Sequence, residues 1–214
     1  MTKKNNNNLY FSEIIQSELH TWKAQCWKWN EFPTFGGLVT TKHHDITTYG
    51  IITSILTGSL DPIRQPVAYQ KTEAELLHEQ PQIFQFLTTT FQCVTVGFCQ
   101  NSPIFYQLPP HPPKIHSFVG NAQRSDYEEF FSSDQFLHSI FNHSAHIGTS
   151  LDELLLAIIR HLAQENLLNS SLLVQFIESF SMLNKNDYKK LKVFTNRIEY
   201  LLKNINPALL ENNL

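Results

Sequence analysis

Ten histidines in 214 residues offer two kinds of chemistry, because imidazole is both a proton shuttle near neutral pH and a common zinc ligand. Two groupings stand out: His43-His44-Asp45, and the set His138, His143 and His146. Neither has the i, i+4 helical spacing that lets two imidazoles share one zinc, as in HExxH, and no Cys nearby completes a set. The first group falls in a hairpin connection, where adjacent side chains are expected to diverge. The second runs from a helix end into a loop. Both read as solvated turn histidines, so no metal and no cofactor is expected. A hydrolase built on His43, Asp45 or the stretch from His138 to His146 remains a third reading, and a stoichiometric bound metal is what would support it.

Nucleophilic catalysis needs a Ser or Cys held against a base, often on a strained elbow such as GxSxG. No such motif occurs. Gly58-Ser59 lies in TGSLDP, whose residues build a turn. Cys26, Cys93 and Cys99 stand on strand-like segments, where a free Cys behaves as a small buried apolar group. Odd in number and without CxxC spacing, they exclude a disulfide framework and a zinc knuckle. Gly36-Gly37 leads into Leu-Val-Thr-Thr rather than a helix, and GxxxxGK[ST] is absent. The chain is expected not to hydrolyse ATP alone, and not to be an enzyme.

Charge and aromatic residues point to binding instead. Residues 121–179 carry two basic and eight acidic groups, whereas residues 180–214 carry six basic and three acidic. Lys185, Lys189, Lys190, Lys192, Arg197 and Lys203 spread around one predicted helix, as a solvated face that offsets the acidic helices. Lys189, Lys190, Lys192 and Arg197 are the candidate nucleic-acid contacts. Trp22, Trp27, Trp29, Tyr49 and Phe105, with Lys23 and Lys28 between them, have the composition of a base-stacking platform. Trp22 and Trp27 differ in parity, however, which favours core or partner-interface use.

The elements that position these residues change near residue 120. Residues 1–120 hold six of the seven Gly and nine of the ten Pro, so the first part is strand-like and the second helical. Period-two patterning marks strands at 19–29 and 88–98, β-branched content marks 35–41 and 47–56, and 104–108 forms a short return after a turn. Thr72, followed by Glu73 and Glu75, opens a helical insertion at 72–87 that Pro81 interrupts. Leu108 to Ile115 (LPPHPPKI) is an extended connector and the expected boundary. Helices are expected at 127–142, 151–165, 171–183 and 187–202, the second opened by a capping box of Ser150 and Glu153.

Overall composition agrees. With 42% apolar and 16% charged residues, the chain should bury a core, and a net charge of −3 gives no global attraction to nucleic acid or anionic lipid. No secretory signal is recognisable and no apolar run approaches a membrane span, so the expected location is cytoplasmic, without membrane insertion.

FPTFGGLVTT, TTYGIITSILTGSLDPIRQPVAYQKTEAELLHEQPQIF, FQCVTVGF and YQLPPHPPKIHSF together resemble bacterial, notably cyanobacterial-type, proteins of unassigned role that carry a HAS-barrel. That small β-barrel is shared by HerA-type DNA translocases and the amino-terminal domains of ATP synthase α and β subunits. The resemblance covers about residues 17–120. It implies an assembly role, docking a protein partner such as an ATPase. It carries no catalytic residue onto this chain, which lacks a motor domain. The expectation is an α+β chain: a flexible segment 1–16, a small, largely antiparallel barrel over 17–119, a helical domain over 121–205 and a flexible tail 206–214. Its expected function is that of a non-catalytic binding or assembly module, the alternative being a nucleic-acid-associated factor.

Overall fold

The computed structural model describes residues 9–61, 63, 65–144 and 147–205. Seven strands come first: β1 (Tyr10–Ser17), β2 (Thr21–Cys26), β3 (Leu38–His43), β4 (Ile46–Ser59), β5 (Leu87–Gln100), β6 (Ile104–Phe105) and β7 (Phe118–Asn121). They lie in the order β2-β1-β7-β3-β4-β5-β6, and β2 also pairs with β5. The added pairing closes six of them into an antiparallel barrel, with β6 attached to β5 outside the ring. Closure leaves those six strands without a free edge along the ring.

Alternation explains the wall. Along β2, Trp22, Ala24 and Cys26 are buried and the intervening residues are not. They join Ile14, Val39, Ile52, Phe91, Cys93 and Val119 in a core inside the barrel. β5 departs from alternation, since Cys93 through Phe98 are all buried. Its lumen-facing residues fill the barrel, while Val94 and Val96 face outward into a second core with Leu38, Tyr49 and Ile51. Helices supply the other side of that core.

These helices are α2 (Arg124–Phe130), α3 (Phe136–Asn142), α4 (Leu151–Gln164), α5 (Ser170–Leu183) and α6 (Tyr188–Ile205). α4 presents Leu154, Leu155, Ile158, Ile159 and Leu162 inward, and Phe176 of α5 with Phe194 and Ile198 of α6 pack on the same cluster. The barrel wall and the helices therefore share one core. The helical part expected over 121–205 is present and packs directly on the barrel: the outer faces of β3, β4 and β5 are too apolar to stand in water, and the helices cover them.

Four expectations change. The segment 1–16 was expected to be flexible, yet Tyr10–Ser17 is a barrel strand, with Ser12 and Ile14 fully buried between β2 and β7. Residues 1–8 and the tail 206–214 lie outside the described residues. The proline connector is no boundary, because β7 follows it and returns to the barrel between β1 and β3. The single helix expected at 127–142 is two. Ser132, Ser133 and Asp134 favour local bonds over helix, and Ser132 Oγ donates to the Glu129 carbonyl at 2.7 Å where α2 ends. Ser150 caps α4 by position, but its hydroxyl bonds Asp152, while Glu153 is drawn away to Arg197. The insertion forms as expected, as α1 (Glu73–Glu79) followed by a 3₁₀ turn over Pro81–Phe86. Thr72 and Glu75 make a reciprocal capping box there.

Candidate functional site

The best-formed exposed surface lies on the outer face of β1 and β7, where β2 ends. Antiparallel register sets Tyr10 opposite Gly120 and Glu13 opposite Phe118, so the Tyr10 and Phe118 rings become neighbours, 5.9 Å between centroids. Gly120 is required at this approach, because a Cβ there would meet the Leu9 carbonyl oxygen at 2.3 Å. Trp27 follows the last residue of β2, its N–H donating to the Phe11 carbonyl at 3.0 Å. That bond turns the indole onto Phe118 edge-to-face, at 5.3 Å and 89°. Trp27 and Phe118 are 49% and 50% exposed.

Beside them Leu9, Tyr10, Phe11, Phe32 and Pro33 line a cleft of about 320 Å³, and Phe32 is 61% exposed. Charges near this surface are locally balanced. Lys28 Nζ is 2.5 Å from Glu31, and His116 Nδ1 is 2.5 Å from Glu13. The arrangement is an aromatic centre with a polar rim, the composition that distinguishes protein interfaces from ordinary surface.

The aromatic residues weighed as a stacking platform are dispersed, and Trp22 and Tyr49 go to cores, as the difference in parity favours. Trp22 fills the lumen and Tyr49 lies beneath the helices, packed on Phe130 at 5.2 Å. Trp29 stacks on Phe84 of the 3₁₀ turn, and Phe105 on Phe98. Only Trp27 belongs to the exposed surface. Leu9, Phe32 and Phe118 escaped sequence reading. Each lies outside the expected strands, and they become one surface only when β1 and β7 pair.

The four basic candidates divide. Arg197 bridges α6 to α4, its guanidinium 3.1 Å from Asp152 and 2.5 Å from Glu153. Opposite charges of the helical part do attract each other there. Lys189 and Lys190 stand on the first turn of α6, where their backbone N–H groups donate to Asp187, and Lys192 is exposed further along.

The histidine and thiol candidates are placed as follows. His43 and His44 do not diverge: His44 takes a positive φ of 55°, which folds its ring back to 4.1 Å from that of His43. Asp45 accepts from Gln100 Nε2 at 2.6 Å, and that bond above all holds its carboxyl below the usual range. The His143 ring bonds the Ser139 carbonyl at 2.8 Å and stacks on His20, while His146 lies outside the described residues. Among the described residues no three His, Cys, Asp or Glu side chains converge as a metal would need. Burial, with a smaller contribution from Glu31, pushes the Cys26 thiol up to about 11, and full burial raises Cys93 well above its ordinary range. Neither is an activated nucleophile. Cys99 is only partly buried. The turn expected over TGSLDP starts later than the sequence suggests: Thr57, Gly58 and Ser59 are the last residues of β4, paired with β5, and Ser59 Oγ accepts from the Asp61 N–H at 3.1 Å just beyond.

No helix among the described residues is long and apolar enough to cross a membrane. No protein-family model matches the chain, and no curated protein is similar to it in sequence.

Proposed function

We propose that this chain is a non-catalytic docking module that binds a protein partner through the aromatic surface of β1, β7 and the end of β2. The observation that carries the reading is the edge-to-face pair of Trp27 and Phe118, half exposed side by side on the barrel wall. Aromatic side chains of this kind supply most of the binding energy where they are buried by a partner. Balanced charge around them favours a protein over a nucleic acid, which would call for unpaired cations beside the rings. The resemblance to HAS-barrel proteins makes an ATPase subunit the first partner to test.

The experiment places a photo-crosslinking amino acid at Asn30, on the rim, in the full chain with native aromatics and in Trp27→Ala/Phe118→Ala. Crosslinking is performed in nuclease-treated lysate. A defined protein adduct that disappears in the double variant supports the reading. An unchanged adduct pattern in the double variant rejects it.

A second reading, nucleic-acid binding on α6, rests on exposed Lys189, Lys190 and Lys192, without Arg197, whose charge is already engaged by two carboxylates. It requires single-strand or duplex affinity that falls steeply with salt and weakens when those three lysines are neutralised.

A further inference from the structure

Ring closure removes free edges only over the length of the ring, and β4 and β5, at 14 residues each, outrun it. β3 pairs with residues 46–51 of β4, and that seam ends where Ile52 bonds the Gly36 N–H and the Gly37 carbonyl. Thr149 Oγ then donates to the Thr53 carbonyl at 2.9 Å. Among the described residues, β4 pairs over 54–59 with β5 alone. The Leu60 N–H donates to the Phe86 carbonyl at 2.7 Å, in step with a register that sets Ser59 opposite Leu87 and Ser54 opposite Gln92. Successive residues of an antiparallel ladder address opposite sides, so Ser54, Leu56 and Gly58 bond β5. Ile55, Thr57 and Ser59 direct their N–H and C=O groups to the open side.

Beyond the bulge between Ile52 and Ser54 this edge has none of the usual protection. Natural sheets blunt an open edge with Lys, Pro or an inward-pointing charge. Residues 54–60, Ser-Ile-Leu-Thr-Gly-Ser-Leu, carry no charge and no Pro. Leu56 and Leu60 share one face of the strand and are 65% and 54% exposed. Gly58 lies between them, outside the left-handed region, and a Cβ there would have nothing within 4 Å. Neither backbone conformation nor packing within the chain requires a glycine at this position. A Gly inside a strand marks a place where another chain approaches closely.

We infer that the free edge of β4 pairs with the same edge of a second copy, antiparallel about a two-fold axis at Thr57. An open edge is self-complementary in that arrangement, as an isologous contact must be. Thr57 faces Thr57 of the second copy and Ile55 faces its Ser59, which forms about six hydrogen bonds. Leu56 then falls opposite Gly58 of the other copy, in the space that the glycine leaves open. That match, and strands without charge that meet without repulsion, select a second copy over a strand of another protein. The contact is separate from the aromatic docking surface and does not rest on it.

Sedimentation velocity of the full chain from about 1 to 200 μM should show a monomer–dimer equilibrium, since a contact of this size is weak. Amide hydrogen exchange should show Ile55, Thr57 and Ser59 gaining protection as the dimer forms, while Leu56 and Gly58, already bonded to β5, are protected throughout. Leu56→Lys should weaken the dimer about tenfold by setting like charges across the axis. Its monomer should keep the thermal midpoint, because Leu56 already faces water. Gly58→Val should also weaken the dimer by blocking Leu56 of the other copy, whereas unspecific apolar association would be strengthened by it. Trp27→Ala/Phe118→Ala should leave the dimer intact, so failure here is distinguishable from failure of the docking reading. The inference is overturned by a monomer at every concentration, or by a dimer in which the three outward amides stay unprotected. A dimer that Leu56→Lys and Gly58→Val leave intact overturns it equally.

Discussion

Two outer faces of the same barrel meet different fates. On one, Leu38, Tyr49, Ile51, Val94 and Val96 lie under Phe130, Phe136, Leu155 and Ile158 and are almost wholly removed from water. On the other, Phe118 touches both Tyr10 and Trp27, and Trp27 and Phe118 remain half open to solvent. Both are apolar surfaces on a closed sheet, so closure by itself protects neither. The helices cover one face and are needed for the fold. The aromatic face is compatible with the fold as it stands, which is what a surface reserved for a partner requires.

The largest test of this contrast is Phe136→Ala. Phe136 is fully buried between Phe130, Phe131 and Phe176, at the centre of the shared core. Its truncation should cost about 3–5 kcal/mol in urea unfolding. The three tryptophans all belong to the barrel part of the chain, at 22, 27 and 29. Fluorescence therefore reports the barrel while circular dichroism at 222 nm is dominated by the helices. Coincident shifts of both transitions are expected, and a fluorescence midpoint that stays put would break the claim of one core.

Next in size is Gly36→Ala. Gly36 has a φ of +78°, donates its N–H to the Ile52 carbonyl, and would place a Cβ 2.6 Å from that of Ala157 on α4. The expected loss is about 2 kcal/mol, from overpacking and an unfavourable backbone. A neutral result in thermal unfolding would mean that barrel and helices do not meet closely there.

A smaller effect concerns His161, on the same seam. Burial above all, with Arg160 adding to it, holds its imidazole below the ordinary 6.5, while a bond to the Phe35 carbonyl works the other way. The folded state thus resists protonation more than the unfolded state does. Its contribution is full above pH 6.5 and is lost as pH falls below that value, because the unfolded chain then binds the extra proton. His161→Gln should flatten the pH dependence of stability between about pH 7 and pH 5. An unchanged slope would place the acid sensitivity elsewhere. The smallest stability change should come from Trp27→Ala/Phe118→Ala, within about 1 kcal/mol, since both side chains already face water. A large loss would show that the open face is structural after all.

Much of the barrel was legible because lumen-facing residues must alternate. Trp22, Ala24 and Cys26 against Lys23 and Gln25 state the strand and its buried face together. β1 was missed because its eight residues mix Ser12, which is buried, with Ile15, which is exposed, so polarity does not report burial there. β7 was missed because four residues carry too little pattern. The split between α2 and α3 depends on serines that helices tolerate in other contexts. At the candidate sites, the positions of charged groups were readable but their partners were not. Arg197 and Glu153 lie 44 residues apart. Contacts of that range belong to packing, and a local pattern does not encode them.

The return of β7 has a consequence for how the chain is made. Because β7 pairs with both β1 and β3, the first strand of the barrel acquires its second neighbour only after residue 121 has left the ribosome. Until then β1 and β3 each present an unpaired edge, the kind of surface on which nascent chains pair wrongly with one another. A fragment cut at the proline connector would keep that state permanently.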